Sequence, residues 1–123
     1  MDKRFFEQLV LKALDELPHS LWNKMENISV SVEEEPSPDV LKKQGIRPPQ
    51  TLLGLYHGVP RNKRGLHYAN VLPDKITIYK KPIESLGLND IQLTEKIKEV
   101  VLHEIGHYFG FGEEELQKYL NGK

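Results

Sequence analysis

Two histidines four residues apart, His103 and His107, with Glu104 directly after the first, are the residues of this chain best arranged for chemistry. An α-helix turns about 100° per residue, so residues four apart project from one face and can offer two imidazole nitrogens to one small cation. Glu104 then lies about 100° round from His103, where it can take a proton from metal-bound water without itself ligating the ion. Gly110 follows three residues after His107. Glycine reaches φ > 0 without a Cβ clash, so the chain can leave the helix and fold back, and Glu113 is the first acidic side chain to return. The expected site is a zinc ion on His103, His107 and a carboxylate, with Glu104 as general base.

A His-Glu-x-x-His match alone is expected in roughly 2 of 100 shuffled chains of this composition; adding the glycine and the later acid lowers that to roughly 2 in 10,000. Two imidazoles and a carboxylate suit zinc best among the available divalent ions. The third ligand stays open between Glu113 and Glu114, because the run 113–115 opens a short helix whose dipole favours acids in any case. Two further residues are candidates to face a substrate. His57 sits beside a turn, and Tyr108, next to a ligand, carries a phenol able to donate to a developing oxyanion. His19 and His67 have no motif partner, and the run RNKR at 61–64 reads as a solvated loop.

Several function classes are excluded by composition. The chain has 123 residues, enough for one compact domain over 1–123 that removes roughly two-thirds of its unfolded surface from water. Seventeen basic and 18 acidic residues leave a net charge of -1, so no bulk nucleic-acid binding is expected. Cysteine is absent, which removes disulfides, thiolate ligands and thiol nucleophiles and leaves any metal to His, Asp and Glu. The amino terminus has no apolar signal region, and no run approaches a membrane span, so a cytoplasmic protein with no membrane partner is expected.

The elements that must position the site follow from periodicity. Phe5, Phe6, Leu9, Val10, Ala13, Leu14 and Leu17 recur at helical spacing up to Pro18. Ile28, Val30 and Val32 alternate with serines as a half-buried strand. Residues 36–50 hold four prolines and Gly45 and read as a long surface loop. Strands are expected at 52–56 and 75–79, the second bounded by Pro73-Asp74 and Pro82. From Asn89 to Phe109, Leu93, Ile97, Val100, Val101 and Ile105 mark the motif helix, with Asp90 and Thr94 as candidate caps, and 113–120 reads as a short closing helix. The expected architecture is α+β, with a small twisted mixed sheet packed on the motif helix. One exposed strand edge beside the metal would hold an extended peptide by main-chain hydrogen bonds.

The chain resembles the small bacterial zincin-like metallopeptidases sometimes described as minimal metalloproteases, which end in a His-Glu-x-x-His helix. The resemblance rests on LLGLYHGVP at 52–60, PDKITIYKKPIE at 73–84 and VLHEIGHYFGFGEEEL at 101–116. It implies a zincin-like fold, with His103, His107 and Glu113 as zinc ligands and Glu104 as base. The motif is also similar to the metzincin pattern, with Glu113 in the place of a third histidine. Met1 and Met25 both precede the motif and ten residues follow Glu113, so a downstream Met-turn is not expected. The cleft is then shallow, or completed by the loops at 36–50 and 58–72, by a partner chain or by a second copy.

Three functions compete on these residues. The first is a zinc-dependent peptidase acting on a peptide or protein substrate. The second is a non-catalytic zincin-derived module that binds metal or protein. The third, a zinc ribonuclease, calls for three histidines and a basic groove, whereas here both position 104 and position 113 are Glu.

Overall fold

The structure, a computed structural model, describes residues 2–22, 28–58 and 74–109 together with positions 114 and 118. Helix α1 (Lys3–Asp15) starts at Asp2, whose Oδ1 accepts from the Arg4 N–H at 3.2 Å. It buries Phe6, Leu9, Val10 and Ala13, while Phe5, expected on the same stripe, is 40 % exposed. A single turn after Pro18, α2 (His19–Trp22), leads on to strand β1 (Ile28–Glu33).

The expected loop at 36–50 contains a helix, α3 (Pro38–Lys43). Its ends carry helix chemistry: Ser37 Oγ accepts from Val40 N–H at 3.1 Å, Pro38 and Asp39 occupy the first turn, and Lys42 and Lys43 the last. Six residues are too few to show an apolar period, which is why composition alone suggested a loop. Strands β2 (Gly54–His57) and β3 (Asp74–Tyr79) follow, and β3 runs directly into α4 (Lys80–Glu84). This helix too was unexpected, because Pro82 reads as a strand boundary. In a first turn, however, proline lacks only an N–H that would have no helical partner.

The motif helix is α5 (Asp90–Phe109). It is capped by Asn89 rather than by Asp90 or Thr94: Asn89 Oδ1 accepts from Gln92 N–H at 2.8 Å, and Gln92 Oε1 accepts from Asn89 N–H at 3.1 Å. This reciprocal pair satisfies two helix-end donors at once. Thr94 lies inside the helix and donates its hydroxyl back to Asp90 O at 3.0 Å. Of the expected closing helix at 113–120, positions 114 and 118 are described, and both are helical. Among the described residues no helix is long and apolar enough to cross a membrane.

The three strands form a mixed sheet in the order β1-β3-β2, with β1 parallel and β2 antiparallel to β3. Side chains alternate across a sheet, so the registers place Ile28, Val30 and Val32, Asp74, Ile76 and Ile78, and Gly54 and Tyr56 on one face. Helix α5 packs on that face against β2 and β3, and α1 packs on α5. Ile97, Val101 and Ile105 are fully buried with Ile76, Ile78 and Phe6 in one core. Lys80 is buried at the sheet end, where Glu84 and Glu34 compensate its charge at 2.8 and 3.7 Å.

Helix and sheet meet closely at Gly54. A Cβ built there would lie 2.6 Å from Val100 Cγ1 and 3.2 Å from Thr77 O. Gly54→Ala is expected to cost about 1–3 kcal/mol through overpacking. Thermal unfolding reads this as a fall of several degrees, and Val100→Ala in the same chain should recover much of it. Asn89→Ala should cost about 1 kcal/mol by loss of the α5 cap, measured by urea unfolding.

Candidate metal and base site

On α5 the positions 100, 103, 104 and 107 fall within about 100° of arc and form one stripe. Val100 begins it by packing on Gly54, and His103 and Glu104, both half-buried, continue it. Glu104 Oε1 accepts a hydrogen bond from the Tyr56 main-chain N–H at 2.9 Å. The two contacts step together: from 54 to 56 the strand advances about 7 Å, and from 100 to 104 the helix advances about 6 Å. The close approach at Gly54 therefore brings the next turn of helix level with Tyr56.

The direction of the Tyr56 N–H follows from the ladder. Leu53 O accepts from Tyr79 N–H at 2.9 Å, so the odd-numbered residues of this segment bond to β3. Gly54 and Tyr56 then aim their main-chain groups away from β3, and β2 is an edge among the described strands. The Tyr56 N–H thus leaves the sheet edge for the carboxylate.

Of the other expected site residues, His103 stands beside Glu104 on α5. His107 and Tyr108 also belong to α5, but their side chains are outside those described, and so is Glu113. Glu114 is helical and exposed. His57 is exposed on β2 opposite Lys75, on the sheet face away from Tyr56. Among the described residues no three His, Asp or Glu side chains form a metal-sized group. The chemistry of the donor set nonetheless suits zinc: two imidazoles one helical turn apart, followed by an acidic run. A separate cavity of about 730 Å³ at residues 35–48 is lined by Pro36, Leu41, Ile46 and Arg47, with no histidine among its described lining residues.

A family model described as zincin-like metallopeptidase matches residues 25–122. The chain belongs to that family. With membership come a metal-dependent peptidase-like fold and, in general terms, an association with zinc. The α+β arrangement of helices and mixed three-stranded sheet is thus zincin-like. Among solved structures, a conserved hypothetical protein from Thermus thermophilus is similar, with a TM-score of 0.59 and 20 % identity over 89 % of this chain and 94 % of that one. At that identity the likeness speaks for the fold. No curated protein matches the chain.

Sequence reading did not single out Tyr56, Gly54 or Asp74 as functional. Each lies in a block that carried the family resemblance, and that was the available signal. Nearby, burial raises the Tyr79 phenol above its ordinary 10.0, and the charges of Glu33 and Glu104 add to the shift. Lys80 is raised above 10.5, chiefly by its hydrogen bond to Glu84. Both groups hold their protons more tightly in the folded state. Their contribution to stability is therefore fully present below about pH 10 and lost as pH rises through the folded values. Denaturant titrations at stepped alkaline pH should show stability falling above about pH 10. Tyr79→Phe should flatten that fall, and its difference absorbance should place the missing phenol above 10.0.

Proposed function

We propose that the chain is a zinc-dependent peptidase with Glu104 as its general base. The observation that carries this reading is the 2.9 Å hydrogen bond fastening Glu104 Oε1 to the outer edge of β2. His103 and His107 would hold the ion, with Glu113 as third ligand and Glu114 as the alternative. When bound, zinc supplies Lewis acidity, acidifying a water and polarising a carbonyl.

Glu104 supplies the proton handling. With Oε1 held by a main-chain donor, the carboxylate is oriented before substrate arrives. It accepts the proton of the attacking water and returns it to the leaving amine. The substrate is an extended peptide or protein segment lying along β2. There the Gly54 N–H and C=O point away from β3, at the edge of the described strands, and can add a strand's hydrogen bonds. A ribonuclease reading lacks support, because the chain has a net charge of -1 and a carboxylate, not an imidazole, at position 113.

Metal analysis of chelator-free protein, combined with digestion of an unbiased peptide library, tests the proposal. Glu104→Ala should keep one zinc per chain and lose hydrolysis by about 100- to 10,000-fold, the usual worth of a positioned base. His107→Ala should lose both. Hydrolysis at the wild-type rate by Glu104→Ala would refute the base assignment. A zinc-loaded wild type that cleaves nothing in the library would favour the non-catalytic module.

A further inference from the structure

Tyr56 is fastened at both ends. Its main-chain N–H donates to Glu104 Oε1 at 2.9 Å, and its phenol donates to Asp74 Oδ2 at 2.7 Å. Asp74 is 6 % exposed and opens β3. In the antiparallel register Tyr56 stands opposite Ile76, so Asp74 is its diagonal neighbour on the face that packs against α5. The ring is half-buried against the core. Gly58 packs closely against both: a Cβ there would lie 2.7 Å from Asp74 Cγ and 2.7 Å from Tyr56 Cε1. Phenol, carboxylate and glycine thus fit together with no room for one more carbon.

We propose that Tyr56, Asp74 and Gly58 form a positioning clamp for the base, in which anchoring the Tyr56 side chain fixes the aim of its main-chain N–H at Glu104. The proposal rests on the peptidase reading for its catalytic consequence, but its structural half stands alone. Strand β2 has only four residues, and its last, His57, pairs with Lys75 near the start of β3. A short edge strand frays at such an end unless side chains tie it down. The Tyr56–Asp74 bond is such a tie, one residue from the end. A buried hydrogen bond to a carboxylate is among the stronger neutral-to-charged contacts, so it can hold the strand end against thermal opening. Tyr56 and Asp74 touch no reacting atom; they act through the orientation of Glu104 and are positioning residues.

The test uses Tyr56→Phe, which removes the phenol oxygen and keeps the ring and the main-chain N–H. Two measurements are made on the full chain: hydrogen exchange of the residue-56 amide by NMR, and kcat and KM on a peptide from the library digest. The clamp requires that amide to exchange about 10-fold faster in Tyr56→Phe, while core amides of β3 keep their protection. It also requires kcat to fall about 10-fold, with KM and zinc per chain unchanged, since misorientation of the base acts on the chemical step. Asp74→Asn, which keeps an acceptor for the phenol, should retain most of both properties. Asp74→Ala should lose at least as much as Tyr56→Phe, and the double variant should fall no further than Asp74→Ala alone. Equal protection of the residue-56 amide in Tyr56→Phe and wild type would overturn the clamp, as would a loss carried by KM. If the wild type proves inactive, the peptidase reading fails by itself and the amide measurement still decides the clamp.

Discussion

The contact between Val100 and Gly54 sets the height of helix α5 above the sheet, and the candidate site depends on that height. Side chains on a helix and on a strand normally hold the two backbones about 10 Å apart. Removing one Cβ beneath Val100 lowers the helix locally. A carboxylate four residues further on then reaches the strand edge directly, without an intervening water or a longer side chain. The hydrogen bond from Tyr56 to Glu104 is a product of this approach. It forms where the helix stripe passes from packing, at Val100, to the candidate site residues His103 and Glu104.

Helix α5 can serve as both core and site because its surface is divided. Leu93, Ile97, Val101 and Ile105 anchor it in the apolar interior between α1 and the sheet. Burying residues of this size is worth about 1.5–3 kcal/mol each before entropy is counted, so several turns are held rigidly. The half-buried stripe that carries His103 and Glu104 inherits that rigidity. A long helix pinned along its apolar side makes a better platform for two ligands than a loop of equal length, since neither imidazole has to be ordered at the moment of binding.

Much of this arrangement was legible in the amino-acid pattern. The apolar spacing of α1 and α5 and the alternation in β1 and β3 placed those elements within a residue or two, because each is long enough to display its period. The short helices α3 and α4 were not legible. They complete too few turns for periodicity, and their prolines, which suit a first turn, look like breaks in a linear reading. Glu104 was singled out from its spacing alone, yet its partner was not. Tyr56 contributes through a main-chain N–H, a group every non-proline residue carries, so no residue type announces it. Asp74 looked like turn punctuation beside Pro73, whereas its burial and its bond to Tyr56 arise from tertiary packing.

The position of β2 at the edge of the described strands bears on how the chain avoids mispairing. A strand of four residues has little of its own to choose one alignment on β3 over the next, and a slip of one residue exchanges its two faces. In an alignment slipped by one residue Leu53 or Leu55 would come beneath Val100, where even a methyl group does not fit, and Tyr56 would turn away from Asp74 toward the opposite face. The glycine under the helix and the tyrosine beside the buried carboxylate thus reject every neighbouring alignment. The alignment that survives is the one that presents a donor to Glu104, so correct pairing of the sheet and orientation of the proposed base are the same event.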